Sequence, residues 1–138
     1  MRGLYQELTS RGADNIQVIN GFSKSPFGGD YFKDVDYREV NEEEEQIFVT
    51  DYIEKEVDLS QYDVVFSCGP KPMLQRIAEM ARKANIKAQI SLEEKMACGI
   101  GVCLGCAIKV KKGELNYTYK KVCVDGPVFM SDEVIFDD

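Results

Sequence analysis

The sequence predicts an α/β protein: a partial doubly wound parallel sheet of the nucleotide-binding type over residues 1–91, then a small β-rich module over residues 92–138. The segment Tyr62–Ser67 has a continuous apolar centre, which is typical of a strand buried on both faces of a parallel sheet. An amphipathic helix and a further strand follow it, and this order predicts a right-handed crossover. Beyond Leu92 the chain becomes rich in cysteine and glycine, so we expect a boundary near residue 91.

The first elements are predicted from short periodic runs. Apolar residues at helical spacing indicate that Leu4–Ser10 is helical, with Gly12 available to end the helix. Asn15–Gly21 is rich in β-forming residues and predicts a strand that ends in a turn. The polar segment that follows has room for a helical turn around residues 31–35. The acidic run Glu42–Glu45 indicates a solvated face or loop.

Two elements are predicted between the acidic run and the central strand. The apolar run Gln46–Thr50 is a second strand candidate. Asp51 can cap a short helix that continues to Val57, because an aspartate side chain accepts hydrogen bonds from free helical N–H groups.

The strongest helix begins at Pro70 and Pro72, where a missing backbone N–H is harmless. Apolar residues continue at intervals of three and four as far as Asn85, which predicts one buried helical face. Lys87–Ser91 is the strand that completes the strand–helix–strand unit.

A β-hairpin is predicted in the C-terminal module. Ala107–Val110 indicates the first strand, Lys111–Glu114 the turn, and Tyr117–Val124 the returning strand. Such a hairpin would bring Cys123 back towards Cys106.

Four cysteines carry the chemistry of this module. Cys98, Cys103 and Cys106 form a C-x4-C-x2-C motif, and Cys123 follows after sixteen residues. Four thiolates in this order are the ligand set of a plant-type [2Fe–2S] cluster. The glycines between the ligands suit a tight loop, because glycine accepts positive φ angles and allows a backbone N–H to approach sulfur closely; they are Gly99, Gly101 and Gly105.

Other uses of the cysteines remain open. A structural zinc site usually has two C-x2-C pairs, whereas only Cys103 and Cys106 form one here. A disulfide framework does not suit five cysteines in a chain without a secretion signal. The chain has no histidine, which excludes Rieske clusters, zinc sites with histidine ligands and histidine-based catalytic triads.

Composition narrows the expected partners and location. A formal net charge of −7 argues against nucleic acid and anionic membrane surfaces, which are bound by clustered lysine and arginine. The first ten residues lack the apolar region of a signal peptide. No apolar run approaches the ~18 residues of a membrane span. We therefore expect a cytoplasmic protein.

A second candidate site follows the central strand. Cys68, Gly69 and Pro70 lie between that strand and the strongest helix, where open α/β sheets bind ligands. The segment SCGPKPML resembles the C-G-P-x-P-M segment of the ferredoxin-reductase superfamily. The segments SLEEKMACGIGVCLGC and YKKVCVDGPVF closely resemble the electron-transfer subunit of NAD-linked, class 1B dihydroorotate dehydrogenase.

The resemblance implies a mechanism. In that family, dihydroorotate is oxidised at FMN in a catalytic partner subunit, and electrons pass through a [2Fe–2S] cluster to FAD and then NAD+, in pyrimidine biosynthesis. The family forms heterotetramers. Cys98, Cys103, Cys106 and Cys123 would be the cluster ligands, and Cys68–Pro70 would lie beside flavin and nicotinamide. The chain would therefore relay electrons rather than catalyse bond chemistry by itself.

Lysines surround the cysteines in sequence. They could offset the charge of a cluster, meet an acidic partner face, or simply be solvated; they are Lys95, Lys109, Lys111, Lys112, Lys120 and Lys121.

The sequence also departs from the family pattern. The N-terminal FAD-binding barrel and the glycine-rich strand-to-helix turn of the family have no counterpart before Leu4, so we expect the chain to correspond to the C-terminal part of such a subunit. On this expectation, the chain alone lacks the backbone cradle for FAD or NAD pyrophosphate. Two alternatives stay open: the flavin and iron–sulfur subunit of an NADH-dependent ferredoxin:NADP oxidoreductase, and a zinc-stabilised interaction domain.

Overall fold

The computed structural model describes residues 2–25, 27–32, 34–113 and 116–136. The chain divides into two compact units, residues 1–58 and residues 59–138. Helices and strands occur in both units, so the predicted α/β class is confirmed. In the described residues, no helix is long and apolar enough to cross a membrane.

The first unit is a parallel strand pair with short helices. Its elements in chain order are α1 (Arg2–Ser10), β1 (Gln17–Phe22), a 310 turn (Gly29–Phe32), β2 (Asp36–Asn41), α2 (Glu42–Glu45) and α3 (Val49–Glu56). Strands β1 and β2 run parallel, with Gln17 opposite Asp36 and Phe22 opposite Asn41. The predicted first helix, its end at Gly12 with a φ of +79°, and the first strand are confirmed within one or two residues.

Two predictions in this unit are wrong. The run Gln46–Thr50 is not a strand: Gln46 adopts a left-handed conformation, and helix α3 has already begun at Val49. A short apolar run does not distinguish a strand from a helix by itself. Val49 lies close against β1, because a Cβ at Gly21 would be 2.8 Å from the Cβ of Val49. Asp51 lies inside the first turn of α3, whose N-cap residue is Phe48.

Strand β2 was not predicted, because its sequence is mostly polar. The acidic run that follows it is solvent-exposed as expected, although it forms the short helix α2. Asn41 caps this helix by accepting hydrogen bonds from the backbone N–H groups of Glu43 and Glu44.

Among its described residues, the second unit contains seven regular elements and a 310 turn. In chain order these are the 310 turn (Leu59–Gln61), β3 (Val64–Cys68), α4 (Lys71–Lys83), β4 (Lys87–Ser91), β5 (Ala107–Lys112), β6 (Asn116–Lys121), α5 (Val122–Asp125) and β7 (Val128–Met130). Strands β3 and β4 are parallel and joined through α4, as predicted, with Pro70 at the N-cap of that helix.

Strand β7 follows the cysteine loop in the chain and joins the sheet that contains β3 and β4. It pairs antiparallel with β4, placing Phe129 opposite Ile90. Beside this pairing, the Leu92 N–H donates a 3.0 Å hydrogen bond to the Pro127 carbonyl oxygen. One core therefore draws residues from both sides of position 91; its buried members are Leu74, Ile90, Leu92, Cys106, Ile108, Val110, Val122, Phe129 and Val134. The division between functional domains at residue 91 stays a prediction.

The hairpin of β5 and β6 differs from its prediction at both ends. Strand β5 continues through Lys112, so the turn begins later than expected, and Glu114 of the predicted turn lies outside the described residues. The returning strand ends at Lys121 rather than Val124, because the next four residues form the helical turn α5. The carboxylate of Asp125 closes this turn by accepting a 2.6 Å hydrogen bond from the Lys121 backbone N–H.

Candidate iron–sulfur centre

The four candidate ligands come from two segments of the second unit. Cys98 and Cys103 lie in the loop between β4 and β5, and Cys106 immediately precedes β5. Cys123 lies in α5, directly after β6. The hairpin pairs Ala107 with Lys121, and the backbone N–H of Val122 donates a 3.1 Å hydrogen bond to the Cys106 carbonyl oxygen. The end of the hairpin therefore brings the two segments together, as the sequence predicted.

The thiols form two contacting pairs. The side chains of Cys98 and Cys103 are hydrogen-bonded to each other, and those of Cys106 and Cys123 form the second pair. Each iron of a binuclear cluster with four cysteine ligands takes two thiolates. The donor set and its pairing therefore fit a [2Fe–2S] cluster.

Backbone amides surround the sulfur of Cys98. The Cys103 N–H donates to it at 3.4 Å, and the N–H groups of Ile100 and Val102 contribute as well. These donors, with Cys103 first, stabilise the thiolate and lower the pKa of Cys98 to about 6. The thiolate is the form of cysteine that binds metal. The Gly105 N–H donates a hydrogen bond to the Cys103 sulfur at 3.4 Å.

Cys123 has a different environment. Its hydrogen bond with the Cys106 thiol raises the pKa of Cys123, and burial raises it further. The backbone N–H of Gly101 donates to the Cys123 sulfur and partly opposes these effects. Gly101 therefore links the middle of the C-x4-C loop to the last candidate ligand.

The glycines of the loop serve as predicted, each for its own reason. Gly99 and Gly101 have φ angles of +67° and +78°, which side-chain-bearing residues rarely adopt. A Cβ at Gly101 would also lie 3.1 Å from a methyl group of Val124. Gly105 has space for a Cβ, and its contribution is the N–H that it donates to sulfur.

No group of three histidine, cysteine, aspartate or glutamate side chains among the described residues is arranged to hold a single metal ion. All five cysteines belong to the described residues, and none is in a disulfide.

The second candidate site is built at the carboxyl end of β3. Cys68 ends this strand and is exposed, and the carbonyl of Pro70 accepts a 3.1 Å hydrogen bond from the Leu74 N–H in the first turn of α4. Gly69 lies against the side chain of Met73, because a Cβ there would be 2.4 Å from the methionine methyl group. The predicted location after the strand is thus observed, whereas a role beside flavin and nicotinamide stays a prediction.

Sequence reasoning did not identify two contacts at the cysteine loop. The Lys121 ammonium donates a hydrogen bond to the Gly101 carbonyl, twenty residues away in sequence. Lys121 was one of six lysines near the cysteines, and its charge alone did not distinguish it. The role of Gly101 in contacting Cys123 likewise depends on the folded hairpin.

Comparisons with known proteins connect this loop to one family. Residues 93–135 match the family described as the iron–sulfur cluster binding domain of dihydroorotate dehydrogenase B. The electron transfer subunit of dihydroorotate dehydrogenase B (NAD(+)) from Caldanaerobacter subterraneus subsp. tengcongensis is 44% identical over 128 residues, which cover 90% of this chain and 51% of the relative. A homolog of that subunit from Aquifex aeolicus is 49% identical over 88 residues, covering 64% of this chain and 32% of the relative. The chain thus spans about half the length, or less, of these curated relatives.

A solved structure shows the same fold. It comes from a study of flavin-based electron bifurcation by NADH-dependent reduced ferredoxin-NADP oxidoreductase. It superimposes with a TM-score of 0.71 over 96% of this chain and 48% of the solved chain, at 22% sequence identity.

Proposed function

We propose that this chain, a relative of the electron transfer subunits of dihydroorotate dehydrogenase B, holds a [2Fe–2S] cluster and serves as an electron carrier. The proposed ligands are Cys98, Cys103, Cys106 and Cys123. One observation carries the proposal: these four thiols form two contacting pairs within the segment that matches the iron–sulfur domain. The same match supports residues 92–138 as the cluster-binding part of the chain.

The residues around the thiols have defined tasks in this proposal. A bound [2Fe–2S] cluster supplies one-electron chemistry. Backbone N–H groups of the loop solvate the negative sulfur atoms, and those donated to Cys98 favour its thiolate. The glycine conformations allow the loop to turn between ligands. Local charge and hydrogen bonding to sulfur then set the reduction potential.

A catalytic partner is the second part of the proposal. The name of the relatives describes an electron transfer subunit, and we propose that this chain receives electrons from an FMN-containing catalytic subunit that oxidises dihydroorotate, within a cytoplasmic heterotetramer. The side chains of Ile100, Val102 and Leu104 are 73%, 79% and 73% exposed. Such exposed aliphatic side chains beside the ligands support contact with another protein surface.

The remaining sites belong to the same proposal. Cys68, Gly69 and Pro70 would lie beside flavin and nicotinamide, with NAD+ as the acceptor of electrons and FAD as the intermediate carrier. The pairs β1–β2 and β3–β4 lie in separate sheets, one in each unit, and both are parallel, which is the strand direction that a doubly wound sheet uses. The match covers about half the length of the relative from Caldanaerobacter subterraneus subsp. tengcongensis, and the FAD and NAD sites are part of the proposal on that basis.

Metal content and colour test the cluster. We expect the protein, reconstituted anaerobically with iron and sulfide, to absorb broadly in the visible and to contain two irons and two sulfides per chain, as a [2Fe–2S] cluster requires. A colourless protein that binds one zinc tightly and takes up no iron would contradict the proposal and support a zinc-stabilised interaction domain.

Electron transfer tests the partner. When the reconstituted chain is mixed with a catalytic subunit of dihydroorotate dehydrogenase B, dihydroorotate is expected to bleach its visible absorption only if that subunit is present. The alternative subunit of an NADH-dependent ferredoxin:NADP oxidoreductase is favoured by the shared fold alone. Bleaching by reduced ferredoxin, but not by dihydroorotate with the catalytic subunit, would favour that alternative.

A further inference from the structure

Three contacts join Gly101 to the segment that carries Cys123. The Gly101 N–H donates to the Cys123 sulfur, and its carbonyl oxygen accepts from the Lys121 ammonium. Its Cα faces Val124, because an added Cβ would lie 3.1 and 3.2 Å from the two Val124 methyl groups. The midpoint of the first ligand loop is therefore tied to residues 121–124.

Lys121 is itself well anchored. Its backbone pairs with Ala107 across the hairpin, and its N–H donates a 2.6 Å hydrogen bond to Asp125. Its side chain is partly buried where it reaches Gly101. The neighbouring Lys120 has a different partner. Its ammonium lies 3.5 Å from a carboxylate oxygen of Glu133.

We propose that Lys121 is a positioning residue for the cluster, an inference that rests on the proposed function. Its hydrogen bond to Gly101 holds the loop that carries Cys98 and Cys103 against the segment that carries Cys123. Its ammonium contacts the loop between the first two proposed ligands. This positive charge near the thiolates therefore favours the reduced state of the cluster. Reduction adds negative charge, which a nearby ammonium stabilises.

The test compares two lysine substitutions that change the net charge equally. Lys121→Met removes the donor and the charge beside the loop. Lys112→Met removes an exposed charge that lies five residue pairs along the hairpin from Lys121. At 3.4 Å per residue this separation is about 17 Å. Salt screens most of the effect of a charge at that distance. Lys121→Arg keeps both a hydrogen-bond donor and the charge. It therefore separates the loss of these two properties from the effect of substituting the residue at all.

Redox titration of the reconstituted proteins measures the charge effect. Lys121→Met is expected to lower the ratio of reduced to oxidised cluster by about threefold or more at a given potential, a fall of about 28 mV at 59 mV per factor of ten. Lys121→Arg and Lys112→Met are expected to remain near the parent value. An unchanged potential in Lys121→Met, or an equal fall in Lys112→Met, would overturn the charge effect.

Hydrogen exchange of the metal-free protein measures the positioning effect without the cluster. Lys121→Met is expected to speed amide exchange in residues 99–105, whereas Lys112→Met is expected to leave it unchanged. Equal exchange in the parent and Lys121→Met would overturn the positioning role. If the parent protein takes up no cluster, the proposed function and the charge effect fail together, and exchange alone still decides whether Lys121 positions the loop.

Discussion

The thiol of Cys123 contacts the thiol of Cys106, although sixteen residues separate them in sequence. The contact arises because the β5–β6 hairpin pairs Ala107 with Lys121. Ala107 directly follows Cys106, and Lys121 precedes Cys123 by two residues. Cys106 is almost fully buried in the core of the second unit, with 2% of its surface exposed. The pair is thus attached directly to the hydrophobic core.

Substitution of a paired cysteine is expected to abolish cluster binding. Cys106→Ser removes one of the proposed iron ligands and the partner of Cys123, so iron and sulfide content and visible absorption should fall to near background. Cys68→Ser is the matched control, because Cys68 is exposed at the end of β3 and outside the proposed ligand set. Loss of colour in Cys68→Ser, or its full retention in Cys106→Ser, would contradict the ligand assignment.

Two glycine substitutions separate backbone conformation from close contact in the ligand loop. Gly99→Ala and Gly101→Ala both introduce a side chain at positive φ, which costs about 1–2 kcal/mol. Only Gly101→Ala also brings a Cβ to 3.1 Å from Val124, whereas the space around Gly99 is open. Gly101→Ala should therefore lose its cluster faster on dilution into a chelator. Equal loss rates would show that the Val124 contact is unimportant.

A substitution at Gly126 is expected to disturb the attachment of β7. A Cβ there would lie 2.4 and 2.7 Å from two ring carbons of Phe129, which is buried against the core. We expect Gly126→Ala to lower the free energy of unfolding by about 1–3 kcal/mol, as overpacking does. In a Phe129→Leu background, which removes those two carbons, the same change should cost much less. Equal costs in urea unfolding of both backgrounds would contradict this explanation.

The helix cap at Asn41 offers a test in the first unit. The side-chain oxygen of Asn41 accepts hydrogen bonds from the backbone N–H groups of Glu43 and Glu44, at 3.1 and 3.4 Å, and Asn41 is buried. Asn41→Ala should lower the free energy of unfolding by about 1 kcal/mol, because two helical donors lose their acceptor. Asn41→Ser keeps a side-chain oxygen and should recover most of the loss. Chemical unfolding followed by circular dichroism measures both, and a Ser variant as unstable as Ala would argue against capping.

Elements with strong local signals were predicted well from the sequence. The unit of β3, α4 and β4 follows from a buried apolar strand, a helix start at Pro70 and an apolar helical face, all of which are local in the chain. Strand β2 was missed, because its polar residues take a strand conformation through pairing with β1. The run Gln46–Thr50 was assigned wrongly, because a short apolar run fits a strand and a helix equally well, and helix α3 begins at Val49.

The sequence by itself determined the chemistry of the candidate site, because the number, order and spacing of the cysteines are properties of the chain and already favour a [2Fe–2S] ligand set. Only the tertiary structure decided which thiols form pairs, how β7 joins the sheet, and which of six nearby lysines reaches the ligand loop. These features depend on residues brought together by the hairpin and by a common core. Local sequence patterns do not specify such contacts, because their energies arise between segments that are distant in the chain.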